Sequence, residues 1–182
     1  MSDSRIEAPQ PTSHAAGANP QRRAKQTITG ERQYWIGVVS KDHVERALAG
    51  GFAQLNHGKA AALERMQPGD GFVYYSPRMS YPRGEPLQAF TAIGRVRSGT
   101  VYQVEGESGS DFRPFRIDVE YMPGDCVPIK PLIERLSFIH SKTHWGATFR
   151  FGYVRIGEPD FAQIAAAMGC SFEAHFGASQ TV

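Results

Sequence analysis

Three stretches of the chain mix aromatic rings with amide, hydroxyl and imidazole groups closely enough to build a recognition site. The first, Phe52-Ala53-Gln54-Leu55-Asn56-His57-Gly58-Lys59, sets two amides and a histidine beside an aromatic ring and a flexible glycine. The second, Tyr74-Tyr75-Ser76-Pro77-Arg78, ends a hydrophobic run. The third, His144-Trp145-Gly146-Ala147-Thr148-Phe149-Arg150-Phe151-Gly152, comes late in the chain. Ring faces stack on nucleobases for roughly 1–3 kcal/mol each, and amides read base edges, so these residue types suit a flat, polar guest. The same rings could instead form the core of a small barrel. Trp35 and Phe90, set inside strand-like runs, lean that way.

Chemistry other than binding has little to work with. His140 and His144 stand four apart and could ligate a metal on a helix, but Ser141-Lys142-Thr143 between them carries no acidic residue. The two cysteines, Cys126 and Cys170, are distant and in no metal-like spacing. No metal, cofactor or catalytic residue is expected. Gly69-Asp70-Gly71 reads as a turn rather than a phosphate loop, and Ser76 precedes a proline rather than sitting in a nucleophile elbow. His57 near Lys59 could pair as acid and base, yet a histidine in a polar loop more often hydrogen-bonds or faces solvent.

The elements that must position these groups are mostly strands. Tyr34-Trp35-Ile36-Gly37-Val38-Val39 is a continuous apolar run suited to a strand buried on both faces. Ser40 offers an N-cap to a helix carrying Val44, Ala47 and Leu48, which Gly50-Gly51 stops. A second short helix is expected to carry Leu63 and Met66. Phe72 to Ser76, Leu87 to Val96 and Val101 to Val104 read as strands, separated by proline- and glycine-bearing turns. Phe115, Ile117, Val119 and Tyr121 alternate with Arg116, Asp118 and Glu120, the clearest period-2 pattern in the chain. Pro131 to Leu136 suggests a helical turn or two. Pro159 starts a last helix with Phe161, Ile164, Ala165 and Met168 on one face, and after Gly169 the pattern fades. Strands and helices do not alternate regularly, which excludes a doubly wound fold and leaves a small curved sheet or barrel with packed helices.

The chain is 182 residues long, enough for one domain and a tail, with 41% hydrophobic and 21% charged residues. Residues 1–30 are rich in proline, serine, alanine and glutamine and lack hydrophobic periodicity, so they are expected to form a disordered tail. The Arg22-Arg23-Ala24-Lys25 cluster within them reads as solvated. The folded domain is placed at 31–170 and a C-terminal tail at 171–182. No apolar run approaches the roughly 20 residues of a membrane span, and no apolar stretch follows Met1 as a secretory signal would. A cytoplasmic location is expected, in keeping with the scarce cysteines. A net charge of +2 is weak for a protein that grips many phosphates. Any specificity toward nucleic acid must therefore reside in a local pocket.

One resemblance organises these pieces. Tyr34-Trp35-Ile36, Val38-Val39-Ser40, His57-Gly58-Lys59, Arg65-Met66, Pro68-Gly69-Asp70 and Tyr74-Tyr75-Ser76-Pro77 follow in the order seen in the bacterial EVE-domain family. Leu87 to Gly94, Phe112-Arg113-Pro114-Phe115, Trp145-Gly146 and Phe149 to Gly152 continue it, so the chain resembles that family from about Tyr34 to Met168. The resemblance implies a PUA-like α+β fold: a mixed β-barrel of five or six strands with short packed helices, related to YTH domains. YTH domains hold a methylated adenine of RNA in an aromatic cage. EVE domains are thought to read modified bases, and many occur in bacterial systems directed at modified foreign DNA. Carried over by position, Ser40 and Lys41 would line one wall and Phe52 would stand where a YTH cage has tryptophan. Gln54, Asn56 and His57 would supply polar contacts, and Tyr74, Tyr75, Ser76 and Trp145 would complete the enclosure, with Trp35 in the same set. Phenylalanine in place of tryptophan at 52 keeps the stacking with less area. The function implied is recognition of a modified, methylated nucleobase in DNA or RNA, single-stranded or flipped, with any cleavage left to a separate effector protein. The alternatives are a pocket for a free small molecule such as a nucleoside, and a base-processing enzyme built around His57.

Overall fold

In the computed structural model, which describes residues 31–105 and 111–177, the apolar run at Tyr34 forms β1 (Tyr34–Val38). A strand apolar at every position has no solvent side and must lie between two layers of core. Its side chains sort that way. Tyr34 and Ile36 join one apolar cluster, and Trp35 joins the other. β3 (Gly71–Arg78) runs parallel to β1 on one side, and β8 (Tyr153–Ile156) runs antiparallel on the other. β4 (Pro86–Val96) returns antiparallel to β3, and β6 (Phe115–Met122) pairs with β4. The two-residue β2 (Phe52–Ala53) pairs with β6, giving the order β2-β6-β4-β3-β1-β8. Two more short strands, β5 (Tyr102–Gln103) and β7 (Val127–Pro128), add to β6 and β4. The sheet is a curled, mixed half-barrel.

A bulge helps to curl it. Tyr74 pairs with Ala92 and Tyr75 with Phe90, so Thr91 is the extra residue and β4 bends there. The hydroxyl of Thr91 is used in the bend, lying 2.8 Å from the Ser76 hydroxyl in the buried interior. Register is further pinned by Asp70, whose carboxylate is 2% exposed. Its two oxygens accept from the backbone N–H of Gln33 (2.9 Å) and Gln67 (3.0 Å) and from Trp35 Nε1 (2.9 Å). Three donors on one buried carboxylate tie the turn before β3 to the start of β1.

Helix α1 (Lys41–Gly50) begins after Ser40 and ends at Gly51, whose φ of 64° allows its N–H to reach the Ala47 carbonyl. Val44 and Ala47 are buried, but Leu48, expected on the same face, is 43% exposed. The helix packs on β3, β4 and β2 through its Val44–Ala47 side alone, so its apolar stripe is narrower than the sequence suggests. The expected second helix is a single 3-10 turn, Leu63–Arg65. The stretch from Pro131 to Leu136 is a 3-10 turn, Lys130–Leu132, followed by further turns that bury Leu132, Ile133 and Leu136. Helix α2 (Glu158–Ala167) carries Pro159 in its first turn and buries Phe161, Ile164 and Ala165, with Met168 just past its end, as the periodicity predicts. Past the point where the pattern fades, α3 (Phe172–Phe176) forms: the Ser171 hydroxyl accepts from Ala174 N–H, and Phe176 is buried. Five residues are too few to display a period. The tail expected at 1–30, with its arginine cluster, lies outside the described residues.

The two clusters divide the labour. One face of the sheet packs on α2, α3 and the 129–139 turns through Val73, Tyr75, Phe90 and Ile93. The other curls over α1 and β2 through Trp35, Phe72, Tyr74, Ile117 and Val119. The polar aromatic groups of interest gather on the second face.

Candidate functional site

Phe52 follows the glycine pair that ends α1, and a Cβ on Gly50 would lie 2.6 Å from its ring. Glycine there lets the edge of the ring approach the helix end. Across the β2–β6 pair Phe52 faces Asp118, which places Arg116, two residues along β6, diagonally opposite on the same face. A long side chain spans that diagonal. The Arg116 guanidinium carbon sits 3.7 Å from the Phe52 ring centroid, and its Nε donates to Gln54 Oε1 at 3.0 Å. This cation–π contact, of order 1 kcal/mol, covers one face of the ring, which is only 5% exposed.

His43, in the first turn of α1, meets the same ring edge-on at 6.4 Å and the Tyr74 ring at 6.4 Å. Burial first, then the charges of Arg46 and Arg116, lower its pKa to about 4, with Asp42 opposing. The imidazole is therefore neutral at physiological pH, with one N–H and one lone pair. Its Nε2 is buried and has no hydrogen-bond partner. The floor beneath is fully satisfied. Tyr74, wholly buried, has its hydroxyl 2.9 Å from the Gln54 N–H and 3.2 Å from the Gln54 carbonyl. Tyr121 stacks on Tyr74 at 6.3 Å and donates to the Phe52 carbonyl at 2.8 Å. Burial raises both phenols well above the usual range, so neither ionises near neutrality.

Asn56, His57 and Gly58 form a tight turn that follows β2 in the chain. All three have left-handed backbones, with φ of 47°, 54° and 77°. Two consecutive non-glycine residues in that region cost about 1 kcal/mol each, and such strain concentrates at functional sites. The turn is wedged in place: a Cβ on Gly152 would fall 1.9 Å from Asn56 Oδ1, and one on Gly58 would fall 2.6 Å from Pro114 Cβ.

The structure thus brings Phe52, Gln54 and Tyr74 together and sets Asn56 and His57 at their edge. Ser40 and Lys41 stand half-buried at the start of the same helix. The Ser40 side chain makes no capping bond, while Lys41 pairs with Glu45 at 2.8 Å. Trp35 and Ser76 lie beneath this face, 4% and 0% exposed, with their polar atoms engaged by Asp70 and Thr91. Tyr75 and Trp145 are not part of the gathering. Tyr75 points to the opposite core and stacks on Phe149 at 4.1 Å, and Trp145 packs against that same core through Phe149 at 6.4 Å. His140 and His144 are exposed and occupy no helix, so their spacing of four does not align them. Among the described residues no cluster of His, Cys, Asp or Glu could hold a metal.

Sequence reading passed over His43, Arg116 and Tyr121. His43 had a usable signal, since it lies four residues before the buried Ala47 and so shares its helix face. Arg116 had none: the alternation of β6 assigned it to solvent, and the two-residue β2 that pairs beside it is too short to see.

Comparison with known proteins follows the same outline. A family model, the EVE domain, matches residues 33–167. The UPF0310 protein msl3206 of Mesorhizobium japonicum is 52% identical over 136 residues, 75% of this chain and 91% of that protein. UPF0310 protein YdcG of Bacillus subtilis is 46% identical over 136 residues, 75% of this chain and 92% of that protein. Among solved structures, the YTH domain-containing protein mmi1, determined in complex with RNA, matches with a TM-score of 0.52 at 9% identity, covering 81% of this chain and 87% of that one. At such low identity the likeness concerns the fold, and it agrees with a PUA-like half-barrel. With most of its described length matched by the family model and by close relatives, the chain belongs to the EVE-domain family.

Proposed function

We propose that this protein binds nucleic acid by seating one extruded base, a modified one, against the surface formed by His43, Phe52, Gln54 and Arg116. One observation carries the reading: a guanidinium laid over an aromatic ring beside a buried imidazole nitrogen that lacks a partner. A buried polar atom left unpaired calls for a partner from outside, and a base edge supplies donors and acceptors at that scale. The EVE family and the RNA-bound relative in fold support nucleic acid as the ligand class.

Each group has a role. The face of Phe52 is already covered, so the guanidinium plane of Arg116 takes over as the stacking surface, as arginine does with unstacked bases. Its Nη groups donate to carbonyl oxygens or ring nitrogens of the base. Neutral His43 exchanges a hydrogen bond with the base edge without adding charge. Phe52 and Tyr74 orient these groups, and Asn56 and His57 close the mouth. A methyl group in such a seat discriminates by roughly 10- to 200-fold. Extruding a base from a duplex costs a few kcal/mol, so single strands are preferred.

Binding of fluorescent single-stranded oligonucleotides, each carrying one methylated base or none, tests this. The expected result is tighter binding of one modified oligonucleotide by the wild type, with the preference lost in Arg116→Gln, which stays folded with a stability loss of about 1–2 kcal/mol. Equal affinity for modified and unmodified strands, or an Arg116→Gln variant that discriminates as before, would overturn the assignment.

A further inference from the structure

Four large apolar side chains besides Leu48 are substantially exposed among the described residues, and three of them are aromatic rings on segments that border one turn. Tyr81, from the β3–β4 connection, is 74% exposed and lies 6.1 Å from the His57 ring. Phe112, from the segment before β6, is 49% exposed, and its Cζ would lie 3.0 Å from a Cβ on Gly58. Phe151 is 80% exposed and directly precedes Gly152, whose Cα abuts the Asn56 side chain. Three separate segments thus meet three consecutive residues, 56, 57 and 58, and each segment carries one exposed ring. Exposed aromatic rings gathered on one patch mark a contact surface.

The charge around them is mostly positive. Arg83 follows Tyr81 by two positions, Arg113 follows Phe112, Arg150 precedes Phe151, and Lys59 follows His57 by two. Across residues 56–59, 78–85, 111–114 and 149–152 there are five cations, counting Arg78, against two carboxylates, Asp111 and Glu85. That local excess exceeds the +2 of the whole chain. Rings interleaved with cations match a single-stranded polyanion, whose bases stack on the former and whose phosphates meet the latter. A free nucleoside has no phosphate for the cations and only one base, which the seat already takes.

We infer that Tyr81, Phe112 and Phe151, with Arg83, Arg113 and Arg150, form a track on which the nucleotides flanking the seated base are held, so that the ligand is a single-stranded polynucleotide rather than a free nucleoside. This rests on the base-seating reading for its central nucleotide but concerns residues outside that seat.

The test titrates the full chain with single-stranded DNA and RNA 9-mers, unmodified and methylated, and with the matching free nucleosides, at several salt concentrations. Tyr81→Ala, Phe112→Ala and Phe151→Ala should each weaken 9-mer binding by about 5- to 100-fold. Their affinity for the nucleoside should be unchanged. The triple variant Arg83→Gln, Arg113→Gln, Arg150→Gln should flatten the salt dependence by about two units of slope, at roughly 0.7 per phosphate contact. The DNA and RNA arms identify which sugar the track accepts. A track effect on unmodified 9-mers without any preference for methylation would support this inference while removing the base-seating reading. Nucleosides bound as tightly as 9-mers, with the ring variants silent, would overturn it and leave the seat intact. Ring variants that change sedimentation of the protein but not oligonucleotide binding would also overturn it, assigning the patch to a second copy of the chain.

Discussion

The neutral histidine of the site makes a measurable demand on pH. Unfolded, His43 takes up a proton near 6.5; folded, burial and the neighbouring Arg46 and Arg116 charges hold it off until about 4. Above pH 6.5 both states are neutral and the residue adds no pH dependence. Between 6.5 and about 4 the unfolded chain binds more protons, so stability falls as pH falls. At 1.36 kcal/mol per pH unit, the 1.5 units from 6.5 to 5 amount to about 2 kcal/mol. The assay is urea unfolding of the wild type and His43→Gln at pH 7.5 and pH 5. Carboxylates titrating over the same interval contribute equally to both proteins and cancel in the difference. That difference should move by about 2 kcal/mol in favour of the variant on acidification. Proton NMR of the imidazole should place its midpoint near 4, and Arg116→Gln should raise it without restoring 6.5, because burial is the larger cause. A midpoint at 6 or above, or a stability difference that ignores pH, would refute the picture of a desolvated ring facing the guanidinium.

Other substitutions test the scaffold. Asp70→Ala strands three donors, two backbone and one indole, and should cost about 3–6 kcal/mol in urea unfolding, with Trp35 fluorescence shifted to the red. A loss under about 1 kcal/mol would mean that water replaces the carboxylate. Tyr74→Phe removes the hydroxyl shared by the Gln54 N–H and carbonyl and should cost about 1–3 kcal/mol, read from the denaturation midpoint. Gly152→Ala combines a φ of 78° with a contact of 1.9 Å to Asn56 Oδ1, and should lower stability by about 1–2 kcal/mol or more. Gly146→Ala, where a Cβ meets nothing within 4 Å, is the matched control and should stay within about 0.5 kcal/mol.

What the sequence revealed follows element length. β1, β3, β4 and β6 are long enough for apolar runs or alternation to show, and α2 displays its buried face over three turns. β2 and β7 are two residues each and exist because of their partners, so no local pattern marks them, while β5 is the paired centre of the strand expected over Val101 to Val104. β8 directly follows the stretch His144 to Gly152, whose aromatic and polar mixture reads as a recognition loop, though Val154 and Ile156 are apolar alternates. The site shows the same division. Phe52, Gln54, Asn56 and His57 could be found because they are consecutive and chemically mixed. Arg116 is brought to them by a cross-strand register, a property of pairing rather than of any one segment.

That dependence on register explains why Tyr74 and Tyr75, adjacent and chemically alike, have different fates. Strand side chains alternate with a period of two, so Tyr74 faces α1 and the polar cluster while Tyr75 faces Phe149 and the opposite core. The assignment would reverse if β3 slipped by one residue against β1. Two features oppose that slip. The Asp70 carboxylate binds the N–H of Gln33 and Trp35 Nε1 at the strand start, and the Thr91 bulge fits only opposite the Tyr74–Tyr75 step. A buried carboxylate far from the candidate site thus decides which tyrosine supports it, and an Asp70 variant that still folds should perturb His43 titration as well as stability.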